Sequence, residues 1–235
     1  MLINRVTEAE TADSAWKSLC RIGGPVALIM VVLIPITSFI FIAYPPPSTV
    51  IDYFTLFQNN RILGVLDLDL LLTVNNFLLI VVYLALYAVL RRTNKSLMAI
   101  ALAIGLVGIV LYLVSREATF TMLSLSDQYA AATTDAQRSM FLAAGQTMLA
   151  MYNGTAFDMS YVIGGVVILI ISAVMLRSNI FSKVTAYVGI LMGILMLVPP
   201  TVGTIGLLLS LISLVPTAIW EILIARRLLQ LGRVR

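Results

Sequence analysis

The sequence predicts an all-α polytopic membrane bundle of six transmembrane helices carrying an extracytoplasmic amphipathic helical hairpin. Three observations lead to that class. Hydrophobic residues make up 60% of the 235 residues and charged ones 11%, against about a quarter charged in soluble domains, and the mean hydropathy is +1.03. The apolar residues fall in runs matching the ~20-residue helix that crosses a hydrocarbon core. Lysine and arginine alternate between connecting segments. Twelve of the fifteen lie in the N-terminal tail, the 91–95 turn, the 177–183 turn and the C-terminal tail, and three (Arg61, Arg116, Arg138) lie in the opposite segments. A bias of this kind puts both termini in the cytoplasm, at a plasma or inner membrane. It also accounts for the net charge of +4, so no nucleic-acid partner is expected.

Residues 1–20 are polar and of mixed charge (Glu8, Glu10, Asp13, Lys17), with Trp16 near the start of the apolar run. They read as a cytoplasmic tail able to lie in the interface. The first span is expected over 24–44, kinked at Pro35 and stopped by Pro45-Pro46-Pro47; it is too long for a signal-peptide core. Between 48 and 65, Val50, Ile51, Phe54, Phe57 and Ile62 recur at helical spacing among polar residues, which suits a helix lying in the interface. The second span is expected over 66–90. The third, over 97–115, has Gly105 and Gly108 for close helix approach.

From 117 to 155 serine, threonine, glutamine and alanine rise. Thr133-Thr134-Asp135-Ala136-Gln137 reads as a helix start, since hydroxyl and carboxyl oxygens cap free first-turn amides. Phe120, Leu123 and Tyr129 before it, and Met140, Phe141, Ala144, Met148 and Tyr152 after it, suggest two amphipathic helices forming a lid. Spans four, five and six are expected over 159–176, 184–198 and 202–225. Gly189 and Gly193 give the fifth a small-residue face, and Pro199-Pro200 separates it from the sixth. The whole reads as a single membrane domain, 21–230, followed by a basic tail, 231–235.

The second span is apolar overall yet polar along one side. At 100° per residue Asp69, Thr73, Asn76, Tyr83 and Tyr87 share a face. An unpartnered amide or carboxyl in hydrocarbon costs several kcal/mol, so the other spans are expected to wrap around this helix. Arg116 and Asp158 fall at the same outer level. Asp69, Thr73, Asn76, Tyr83, Arg116 and Asp158 are therefore the candidate ligand-binding set, with Arg116 expected to pair with Asp69 or Asp158. The competing reading is that these groups only join helices. Ser210, Ser213, Thr217 and Glu221 form a second polar face, on which Glu221 is expected to be solvated or paired with a nearby arginine.

The chain contains no histidine, which removes bis-histidine haem ligation and histidine-dependent hydrolysis. Its one cysteine, Cys20, leaves no intrachain disulfide, zinc-thiolate or iron–sulfur site. No metal, cofactor or catalytic residue is predicted, and an enzyme is disfavoured: on one helix Asp67 and Asp69 would point about 160° apart, unsuited to a dyad. The expected function is binding or translocation of a small polar or amphipathic molecule in an outward-side intramembrane pocket. The alternative is a structural or accessory subunit. Expected partners are membrane lipids, a small-molecule ligand, and a membrane protein or a second copy of the chain.

Three stretches, Arg21-Ile-Gly-Gly24, Ala85-Leu-Tyr-Ala-Val-Leu-Arg-Arg-Thr-Asn-Lys95, and Gly164-Gly165 with Leu176-Arg-Ser-Asn-Ile-Phe-Ser-Lys-Val-Thr-Ala-Tyr-Val-Gly189, carry a resemblance over about residues 20–200. On them the chain resembles a family of six-span prokaryotic membrane proteins grouped as a domain of unknown function. The resemblance implies six spans and brings no activity, cofactor or catalytic residue.

Overall fold

The computed structural model describes residues 14–233. The tail residues 1–13, Val234 and Arg235 lie outside the described residues. Those described form nine helices: α1 (Ser14–Ala43), α2 (Val50–Asn59), α3 (Arg61–Asp67), α4 (Leu70–Leu90), α5 (Lys95–Ala131), α6 (Asp135–Tyr152), α7 (Thr155–Arg177), α8 (Lys183–Leu195) and α9 (Gly203–Arg233). Five stretches are long and apolar enough to cross a bilayer: Trp16–Ala43, Leu70–Leu90, Lys95–Ala131, Asp135–Arg177 and Gly203–Arg233. Helix α8 is apolar but only 13 residues long, about 20 Å at 1.5 Å per residue. The all-α membrane bundle read from composition is the fold.

Six helices form a closed ring in chain order: α1, α4, α5, α7, α8 and α9 each pack against the next, and α9 returns to α1. Neighbours run antiparallel, as facing positions show: Gly23 with Ala85, Gly105 with Tyr83, Gly165 with Gly193, and Gly24 with Leu229. The two described ends therefore meet, and Arg21 Nε donates to the carbonyl of Gly232 at 2.8 Å. Small residues set the closest approaches. A Cβ on Gly165 would lie 2.9 Å from the Gly193 carbonyl oxygen, so the α7 and α8 backbones are in contact there.

The ring corrects one expectation: α4 is not wrapped by the other helices but is one member of the ring. Of its most apolar window 22% is buried, against 44% for Asp135–Arg177. A polar stripe on one side of a helix needs cover only on that side. Pro35 also sits within an unbroken α1.

Helix α5 corrects another. Its 37 residues extend about 55 Å, well beyond a hydrocarbon core of about 30 Å, so the first arm of the hairpin is the continuation of the third span. No glycine or proline occurs between Gly108 and Gly145, and nothing in the chain interrupts the helix. It turns at 132–134 into α6, where Thr134 and Gln137 form a capping box that satisfies free first-turn amides. Beneath this hairpin α2 inserts Val50, Tyr53, Phe54 and Phe57 against Ala118, Met122 and Tyr152 in a second hydrophobic core. Ser126 Oγ donates to the Phe54 carbonyl at 3.0 Å, and Arg61 reaches Asp127 at 2.7 Å.

The expected second span, begun at Leu66, is split. Helix α3 ends at Asp67 and α4 begins at Leu70, with Asp69 between them in the left-handed region at φ 63°. Aspartate is among the few residues that tolerate this conformation. The split turns both carboxylates inward.

Candidate functional site

The break between α3 and α4 lies beside the point where α5 leaves the bundle and α6 meets α7. Asp69 is held there as the residue preceding α4, and Arg116 projects from α5. Arg116 Nη1 lies 3.2 Å from Asp69 Oδ2, and the Tyr152 hydroxyl donates to the same oxygen at 2.6 Å. The pair is deeply enclosed, with Arg116 4% and Asp69 7% exposed. Three rings surround the guanidinium carbon: Tyr152 at 3.9 Å, Phe157 at 4.6 Å and Tyr112 at 4.7 Å from ring centroids. Ring faces carry partial negative charge and attract a cation, so the site replaces the water that Arg116 gives up on burial.

Asp67 is buried at the same break, 3% exposed. Among the described residues its Oδ1, Asp69 Oδ1 and Arg116 Nε and Nη1 have no hydrogen-bond partner, so Nη1 meets Asp69 as an ion pair alone. Burial pushes the Asp67 carboxyl up to about 6, and the neighbouring Asp69 charge adds to this. Burial also raises Asp69, while Arg116 and the Tyr152 hydroxyl act in the opposite direction. The interrupted backbone is fastened from α5 by Thr119 Oγ1, which donates to the Leu68 carbonyl at 2.9 Å. A small cavity of about 10 Å³ touches Asp69, Leu66, Leu72 and, from α1, Thr37.

The structure brings Asp69 and Arg116 together and sets Thr73 close by. Thr73 and Arg116 share the wall of an open cleft of about 230 Å³ between α4 and α5, with Leu70, Phe77, Leu113 and Phe120 as its apolar sides and Glu117 at its edge. The other three candidates go elsewhere. Asn76 Nδ2 donates to the Leu72 carbonyl of its own helix at 3.0 Å. Tyr83 is buried in the main core, against Gly105. Asp158 accepts from Thr201, not from Arg116. The candidate set left out Asp67, weighed in the sequence only as half of an unsuited dyad, and Tyr112, Tyr152 and Phe157, whose only signal was aromatic residues at the depth of Arg116, indistinguishable there from ordinary core. Glu221 also departs from expectation: it is 6% exposed, its Oε2 unpartnered among the described residues, because its face of α9 turns into the ring.

No curated protein and no solved structure matches the chain. A family model described as a domain of unknown function (DUF4386) matches residues 22–232. The matched range takes in all of the ring but the first turns of α1 and the last residue of α9, together with the α3–α4 break and the hairpin, and the chain belongs to that family.

Proposed function

We propose that this multi-pass membrane protein binds an amphipathic molecule in the cleft between α4 and α5. The observation that carries this reading is the cleft's composition: apolar walls from Leu70, Phe77, Leu113 and Phe120, with Thr73, Arg116 and Glu117 polar among them. Its depth fits as well. Arg116 is 21 residues beyond the start of α5 at Lys95, about 30 Å along the helix axis and so at the far edge of the hydrocarbon core. A single acyl chain would lie against the two phenylalanines, and its head would meet Glu117. Arg116 is committed to Asp69, which leaves Glu117 as the exposed charge and selects an ammonium or hydroxyl head over an acidic one.

The charge asymmetry supports cytoplasmic termini and hence a cleft opening near the outer boundary. The competing reading, an accessory subunit without its own ligand, draws on one observation: Asp69, at the start of α4, is paired with Arg116 of α5, a contact that joins helices. Binding of a fluorescent single-chain alkylammonium probe to the protein in nanodiscs separates the two. Leu113→Trp fills the cleft and should weaken saturable binding about tenfold or more, while Ile62→Trp, at an exposed position on α3, should leave it unchanged. Equal binding by both folded variants would favour the accessory reading.

A further inference from the structure

We propose that Asp67 is a proton-binding site, and that the buried centre of Asp67, Asp69 and Arg116 becomes electrically neutral by taking up one proton there. Charge arithmetic at the α3–α4 break leads to this. Two carboxylates and one guanidinium, all at least nine-tenths buried, carry a net charge of −1 if both acids ionise. Arg116 lies against Asp69, and the unmatched charge therefore falls on Asp67, whose Oδ1 has no hydrogen-bond partner among the described residues. An uncompensated buried carboxylate is neutralised by protonation rather than left charged.

Among the described residues, the titratable groups around the centre give it no second cation. They are Asp69 itself, Arg116 and Tyr112 from α5, Tyr53 from α2 and Tyr152 from α6. The tyrosines are neutral donors at ordinary pH. A metal ion is the rival occupant, but the adjacent cavity of about 10 Å³ holds about one water molecule and touches Asp69 rather than Asp67. The raised Asp67 carboxyl, up to about 6, agrees with the same picture. Its consequence for stability follows by linkage: a carboxyl whose folded value exceeds its unfolded one of about 3.9 stabilises the fold fully below that value and loses the contribution as pH rises through about 6. The proposal is independent of the cleft reading, because filling the cleft leaves Asp67 untouched.

The test is thermal unfolding of the full chain in nanodiscs between about pH 5 and about pH 8, in sodium and in choline chloride, with infrared spectroscopy of the protein carrying ¹³C-labelled aspartate. The wild type should unfold at steadily lower temperature as pH rises, and Asp67→Asn should clearly weaken this dependence, the remainder falling to the other buried acids, Asp69 and Glu221. A protonated-carboxyl band should be present in the acid sample and absent in the alkaline one. An unchanged pH dependence in Asp67→Asn overturns the proposal, as does stabilisation by sodium over choline at the alkaline end that the variant lacks. If Asp67→Asn does not fold, the wild-type band decides alone: its absence at about pH 5 would refute the assignment.

Discussion

The Arg116 guanidinium is held by a carboxylate on one side and three aromatic rings around it. Removing one partner from a buried ion pair strands the other charge, a loss of about 3–5 kcal/mol. Arg116→Ala should therefore lower the unfolding temperature sharply in detergent. Arg116→Met combined with Asp69→Asn should lose less than the sum of the two single changes. Arg116→Lys should not restore stability, since an ammonium lacks the planar face that stacks between rings. Additive effects in the double variant would show that the two residues do not act as a pair. The pairing of Arg116 with an aspartate was legible from shared depth along two helices. The aromatic enclosure was not, because Tyr152 and Phe157 lie on opposite sides of Asn153-Gly154 and converge only once α6 and α7 have packed. Asn76 was misread for the opposite reason: periodicity gives the face a residue shares, but not that its amide folds back on its own backbone.

Helix boundaries were legible where local chemistry sets them and obscured where tertiary contacts do. Thr134 and Gln137 close the start of α6 by their own side chains, and that start was read correctly. Thr134→Ala should cost about 0.5–2 kcal/mol, seen as faster amide hydrogen exchange over the first turn of α6; unchanged exchange would remove the cap from the account. The break at Asp69 gave no such signal. The run from Leu66 to Leu90 contains no glycine or proline, and the interruption is held from outside by Thr119 and Arg116. Neighbouring glycines offer a sharper contrast. A Cβ on Gly164 would meet only the flexible end of Met196 at 3.4 Å, whereas on Gly165 it would meet the Gly193 backbone oxygen at 2.9 Å. Gly164→Ala should be tolerated, and Gly165→Ala should separate α7 from α8 and reduce the yield of monodisperse protein on size-exclusion chromatography. Similar behaviour of the two would mean that this interface yields without cost.

For the molecule as a whole, composition and charge alternation gave the class, and the ring keeps successive long helices adjacent even where α2 and α3, or α6, intervene along the chain. Which helix is most enclosed was not legible: a polar stripe signals a need for cover, and the extent of cover depends on how the ring closes. The proposed orientation is open to direct labelling. With the buried Cys20 replaced by serine, a cysteine at Thr133 in the hairpin turn should react with an impermeant maleimide in intact cells, and one at Asn94 only after lysis. The reverse pattern would invert the molecule and move the cleft to the cytoplasmic boundary. The cleft itself is best tested by placing the photoreactive amino acid p-benzoylphenylalanine at Phe77, irradiating native membranes and weighing the intact product. A mass increase of one small amphiphile at Phe77, absent when the same residue is placed at Ile62, is the predicted result. Coupling at Phe77 to another polypeptide instead would contradict the ligand-binding account.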